Sequence, residues 1–245
     1  MDKMKHRYVG QPIIKKDAKA LLSGKPVYTD DLVPENTLTV KLKRSPHAFA
    51  KIKSIDVSKA MLVPGIETVL TYKDVPQNRF TLAGQTFPEP SPYDRLILDE
   101  YVRFVGDPVA IIAGKDEDCC LKAMKLVKVE YEVLEPILDL KQSLDNPILI
   151  HPEENYVAHD GQGTDQKRNL CASHDESEGD VESVLASCEY IVDEHYRIKA
   201  VNQAMMEPFT AYTSMDLYGR LLVQSATQIP FHVRRIVSHA LNISK

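Results

Sequence analysis

A chain of 245 residues with 43% hydrophobic side chains can bury a sizeable core, in one large domain or two small ones. Its net charge of −5 argues against non-specific attachment to nucleic acid. The opening MDKMKHRYVGQP has no apolar signal core and no run is long enough to span a bilayer, so a cytoplasmic protein away from membranes is expected.

Residues 17–30 read as a turn-rich start around Gly24 followed by a strand, and TLTVKLKRS alternates from Thr37 to Ser45 as a half-buried strand does. The next stretch, from Ala50 to Val75, predicts a strand, a short helix with Ser58 as N-cap, a turn at Pro64-Gly65, a second strand and a turn ending at Asp74. Residues 77–95 carry Pro88, Pro90 and Pro92 without periodicity, which predicts an irregular loop. A strand pair broken at Gly106-Asp107-Pro108 follows, and its second member, VAIIA, is apolar enough to be buried on both faces. Asp116 then caps a helix with an acidic first turn, and Val127–Val133 returns as a strand.

Residues 137–178 read as a connection, because they hold DNP, HPEEN and the polar run HDGQGTDQKRN. After it the pattern predicts a helix, a long strand, a strand around Thr210–Ser214, a turn and a strand ending near Gln224. That last strand passes through Ser225-Ala226-Thr227-Gln228 and Pro230 into the amphipathic VRRIVSHALNI. Arg234 and Arg235 lie on its solvated face.

None of the common nucleotide, hydrolase or metalloprotease motifs occurs. Histidines 6, 47, 151, 159, 174, 195, 232 and 239 are scattered; His232 and His239 are seven apart, not at the i,i+3 or i,i+4 spacing of metal pairs. Cys119, Cys120, Cys171 and Cys188 form no metal or redox spacing and read as reduced thiols. The acidic run DESEGD (175–180) lacks calcium-loop alternation and reads as a solvated loop capping the next helix. Glu207, in AMMEPF, stands at an apolar strand end, and the residues alone leave a structural carboxylate and a site role both open.

Three segments, YVGQPIIKKDAKALLSGKPVYTDDL, KRSPHAFAKIKSIDVSKAMLVPGIETVLTYKDVP and VRFVGDPVAIIAGKDEDCCLKAMKLVKVEYEVLEPILDL, resemble the hammerhead domain of the xanthine dehydrogenase/aldehyde oxidase family of molybdenum hydroxylases. GDVESVLASCEYIVDEHYRI, QAMMEPFTAY, Tyr218-Gly219-Arg220-Leu221 and SATQIPFHVRRIVSHALNIS are similar to the opening of that family's molybdopterin-binding domain. The resemblance implies an α+β architecture: a hammerhead α/β domain with an N-terminal extension at 1–136, a connecting segment at 137–178, and an incomplete α/β molybdopterin-binding domain at 179–245.

It further implies oxidative hydroxylation of a purine, another heterocycle or an aldehyde, with oxygen taken from water at a molybdenum–pterin centre. By the same resemblance Gln228 is the cofactor-binding and catalytic candidate, an amide that hydrogen-bonds an oxo ligand of the metal without adding charge. The family's glycine-rich cofactor segment, substrate loop and glutamate base have no counterpart here, and neither do its [2Fe–2S] cysteines or flavin domain. The remainder of the molybdopterin-binding subunit, together with iron–sulfur and FAD subunits, is therefore the expected set of partners, with self-association through the incomplete domain as a further expectation. The other reading is a non-catalytic hammerhead-bearing scaffold that binds a partner and no molybdenum.

Overall fold

The computed structural model describes residues 7–25, 28–82, 91–156 and 163–245. In chain order its elements are α1 (Ala18–Leu22), β1 (Thr39–Arg44), β2 (Ala50–Asp56), α2 (Ser58–Met61), β3 (Ile66–Leu70), β4 (Tyr101–Val102), β5 (Pro108–Gly114), α3 (Glu117–Leu126), β6 (Lys128–Val133), α4 (Val181–Ser187), β7 (Ala211–Met215), β8 (Leu221–Ser225) and α5 (Pro230–Leu241). The chain divides into two compact units. One takes in residues 38–198 and 229–245; the other takes in residues 1–37 and 199–228.

The larger unit is built on two antiparallel sheets, in the orders β1–β5–β3 and β4–β2–β6. Successive strand residues face opposite sides, and β5 uses both. Ala110 and Ile112 are buried with Ala60 of α2 and with Cys119, Cys120 and Ala123 of α3. Val109 points into a second cluster with Ala50, Ile52 and Val102 of the other sheet. VAIIA is thus enclosed on both faces, by helices on one side and a sheet on the other, although its ladders are antiparallel.

Helix α3 starts where its sequence predicts, with the Asp116 carboxylate accepting the Cys119 N–H at 2.8 Å. Gly114 lets the helix approach: a Cβ there would lie 2.7 Å from Cys119 Sγ and 2.9 Å from the Gly65 carbonyl oxygen. Gly65 itself turns at φ +91°, a conformation that the Pro64-Gly65 reversal needs and side chains resist.

Three local expectations are corrected. Residues 17–30 hold the short helix α1 rather than turns and a strand, with a 3-10 turn at Asp30–Leu32; Pro26 and Val27, part of the expected strand, lie outside the described residues. AKALL is a run of strong helix formers. Ser58 is the first residue of α2 and not its cap; the Asp56 carboxylate accepts the Ser58 N–H at 2.9 Å, since an aspartate two residues upstream reaches the free amide directly.

The long strand expected after α4 is absent. Tyr190, Val192, Tyr196 and Ile198 keep the alternation of a strand and are more than 80% exposed, because no ladder partner for them exists among the described residues. Of the loop expected at 77–95, residues 83–90 lie outside the described residues, and the flanks close through a Phe80–Arg95 bridge.

Candidate functional site

The smaller unit presents the β7–β8 hairpin, registered from Ala211 opposite Ser225 to Met215 opposite Leu221. Its turn is closed by Asp216, whose carboxylate accepts the Tyr218 and Arg220 N–H groups, each at 2.9 Å, and the Arg220 Nε at 2.7 Å. These bonds, led by the Arg220 N–H, hold the Asp216 carboxyl below the usual range. Gly219 supplies the left-handed residue of the turn, at φ +73°. Register is therefore set at the turn, and β8 ends at Ser225 with the SATQ segment leading away from it.

Gln228 lies in a bend three residues past β8, exposed, and its amide makes no hydrogen bond among the described residues. An uncommitted neutral amide on a hairpin-braced turn is what a hydrogen bond to an incoming ligand requires. After it the chain enters α5 with Pro230 in the first helical turn, where its fixed φ suits the helix and its missing N–H costs nothing. Ile229, at the N-cap, offers no side-chain acceptor to the helix.

Glu207 belongs to the same smaller unit and is half-buried. With Tyr28, Asp30, Asp31, Met206, Pro208 and Thr210 it lines a cavity of about 380 Å³. Three acidic residues therefore line one cavity, yet among the described residues no group of three or more His, Cys, Asp or Glu is placed to hold a metal. Neither AMMEPF nor the Asp30-Asp31 pair signals this convergence alone, since the two lie more than 170 residues apart.

The remaining candidates are structural. Cys119 and Cys120 are buried and free, and burial, then the neighbouring Cys119, pushes the Cys120 thiol up to about 11, far from a working thiolate. Cys171 and Cys188 are free and exposed. His232 is buried in α5, His239 meets the Tyr93 ring edge-on at 5.5 Å, and His47 meets Tyr131 at 4.8 Å. His6 and His159 lie outside the described residues. Asp180, the last residue of the acidic run, accepts the Ser183 N–H and caps α4, as the run's position predicts.

One charged cluster had no sequence signal, because its members are dispersed. In the larger unit the Glu153 carboxylate receives Arg79 Nη2 at 2.9 Å, Arg103 Nη2 at 2.9 Å and His151 Nδ1 at 2.8 Å. Burial pushes this carboxyl up, but the His151 bond and the Arg103 charge outweigh burial and hold it down at about 2.

A family model described as the a/b hammerhead domain of aldehyde oxidase and xanthine dehydrogenase matches residues 23–135, and one described as a molybdopterin cofactor-binding domain matches residues 162–245. A probable hypoxanthine oxidase of Escherichia coli is 31% identical over 97% of this chain and 27% of its own length. The molybdenum-binding subunit of an Escherichia coli xanthine dehydrogenase is 33% identical over 93% of this chain and 29% of its own. The solved aldehyde oxidoreductase of Desulfovibrio gigas superposes with a TM-score of 0.72 at 25% identity, covering 94% of this chain and 25% of that one. The chain thus spans less than a third of the length of these relatives. Several relatives are themselves subunits of larger enzymes. Among the described residues no helix is long and apolar enough to cross a membrane.

Proposed function

The chain belongs to the xanthine dehydrogenase/aldehyde oxidase family, and from that premise we propose that it is the N-terminal part of a molybdenum hydroxylase large subunit, acting on a purine, another heterocycle or an aldehyde. The observation that carries this reading is the ordered succession of hammerhead and cofactor-binding matches along one chain. We assign residues 1–136 to the hammerhead domain with its extension, 137–178 to the connection and 179–245 to the first segment of the cofactor-binding domain.

The bound molybdenum–pterin group supplies the redox chemistry and the activated oxygen. Within this chain Gln228 is the residue that would meet it, donating an amide N–H to an oxo ligand. Its exposure and its unused hydrogen-bonding capacity support the fit. An amide holds such a group in place without competing for the metal and without a proton to lose at working pH. Asp216 serves this function indirectly, by fixing the hairpin from which the segment that carries Gln228 departs.

Nothing in the chain answers to the base or the substrate loop, so catalysis requires the rest of the large subunit, with iron–sulfur and FAD subunits to carry electrons away. Four free thiols support a cytoplasmic location. The test is to purify the chain alone and in its complete assembly, and to measure molybdenum and the hydroxylation of purines and aldehydes. Metal and turnover should appear only in the assembly. An assembly that contains the chain but no molybdenum would instead identify a scaffold.

A further inference from the structure

Residues 143–156 and 163–171 are two limbs of one stitched structure within the larger unit. Asn169, at φ +54°, is the stitch: its Nδ2 donates to the Ser143 and Ile148 carbonyls at 3.1 and 2.8 Å, and its Oδ1 accepts the Ile150 N–H at 2.9 Å. Arg168 forks onto the Asp145 carboxylate at 2.6 and 2.9 Å, and Gln166 Nε2 donates to the Glu153 carbonyl at 2.9 Å.

The limbs hold to the sheets in a different way from the helices α2 and α3, which pack into a hydrophobic cluster. No described residue from 134 to 198 is buried, so no hydrophobic core anchors them. Two arginines anchor them instead: Arg103 donates to Glu153 at 2.9 Å and to the Ile150 carbonyl at 3.0 Å, and Arg79 donates to Glu153 at 2.9 Å and to Asn155 at 2.9 Å. Both arginines and His151 meet Glu153 at Oε1, while Oε2 is buried and has no hydrogen-bond partner among the described residues. The attachment therefore rests on a few charged hydrogen bonds and not on hydrophobic burial. Ile150 and His151 line a cavity of about 130 Å³ together with Arg95, Arg103, Phe104 and Asp107.

We propose that the two limbs are a strap, latched by Glu153 between Arg79 and Arg103, that opens from this cavity as a unit while both sheets stay folded. Segments held by polar contacts without core burial are the ones that open locally below the global unfolding free energy. The latch stands on geometry within the larger unit and is independent of the proposed function.

Hydrogen exchange of the whole chain tests it. In Glu153→Gln the Ile150 and Leu170 amides should exchange about tenfold or more faster, the loss expected for a hydrogen bond to a charged group. Amides of β5 should keep their parent rates. In Glu153→Ala, which empties the place between the two guanidinium groups, added acetate should restore protection of Ile150. Unchanged strap exchange, or equal acceleration in β5, would overturn the latch. Failure of acetate to restore protection would also overturn it, by making Glu153 a packing residue and not a charged pin.

Discussion

At the residue scale, Gln228 and Glu153 are opposites: one amide is exposed and uncommitted, one carboxylate is half-buried and takes its charged partners at a single oxygen. Gln228→Ala in the complete enzyme removes a preorganised neutral donor. Where one donor faces an oxyanion alone the loss is roughly 2.7–4 kcal/mol, and a metal that carries most of the charge reduces it, so turnover should fall by about one to two orders of magnitude. Molybdenum content should stay at the parent level; full activity at equal occupancy would return Gln228 to an ordinary turn residue. For Glu153 the ionised form is favoured in the folded chain, its carboxyl titrating at about 2 against an ordinary value of 4.5. Its contribution is therefore complete above pH 4.5 and is lost as the pH falls toward 2, an effect on the order of 2 kcal/mol after solvent screening. Protection of the Ile150 amide, corrected for intrinsic exchange, should decline through that window in the parent and stay flat in Glu153→Gln. A flat parent profile would show that the carboxylate is not held by its partners.

At the element scale, periodicity was legible for the strands of both sheets, and capping for α3 and α4, though not for α2. VAIIA, the Asp116 cap and the strand from Thr39 to Arg44 all stand where their patterns place them, because a buried strand, a carboxylate at a helix start and clean alternation each have one cheap solution. Removing that cap in Asp116→Ala leaves the Cys119 N–H without its acceptor and should lower the thermal midpoint by roughly 2–4 °C. Gly114→Ala asks for more, since its Cβ would press on Cys119 Sγ and on the Gly65 carbonyl. Overpacking of this kind costs about 1–3 kcal/mol, read as a lower denaturant midpoint at unchanged slope. A neutral Gly114→Ala would mean that α3 shifts away from the strand without penalty.

At the scale of the whole molecule, alternation in YIVDEHYRI has no strand to satisfy it among the described residues, and Tyr190, Val192, Tyr196, Ile198, Met206 and Phe209 stand open to solvent. Apolar surface of this extent drives association with a complementary surface or with a second copy. The chain alone should bind a hydrophobic dye and self-associate at moderate concentration. A compact, dye-silent monomer would show that this segment needs no cover. Limited proteolysis should cut first between residues 151 and 178, where no described residue is buried, and a primary cut inside 100–133 would defeat that assignment.

By itself the sequence determined the strands of both sheets, the helices α2 to α5, where the hairpin turns, and, through resemblance, its family. Each of these rests on neighbours a few residues apart or on long ordered segments. Only the tertiary structure decided that Asp56 and not Ser58 serves the start of α2, that 17–30 holds a helix, and that the alternating run after α4 finds no ladder partner among the described residues. It alone brought Arg79, Arg103, His151 and Glu153 together across more than 70 residues, and Glu207 beside Asp30 and Asp31. The reason is physical: local pattern encodes what a residue's own backbone and nearest turn prefer, whereas pairing and charge convergence depend on which distant segments the folded chain makes adjacent.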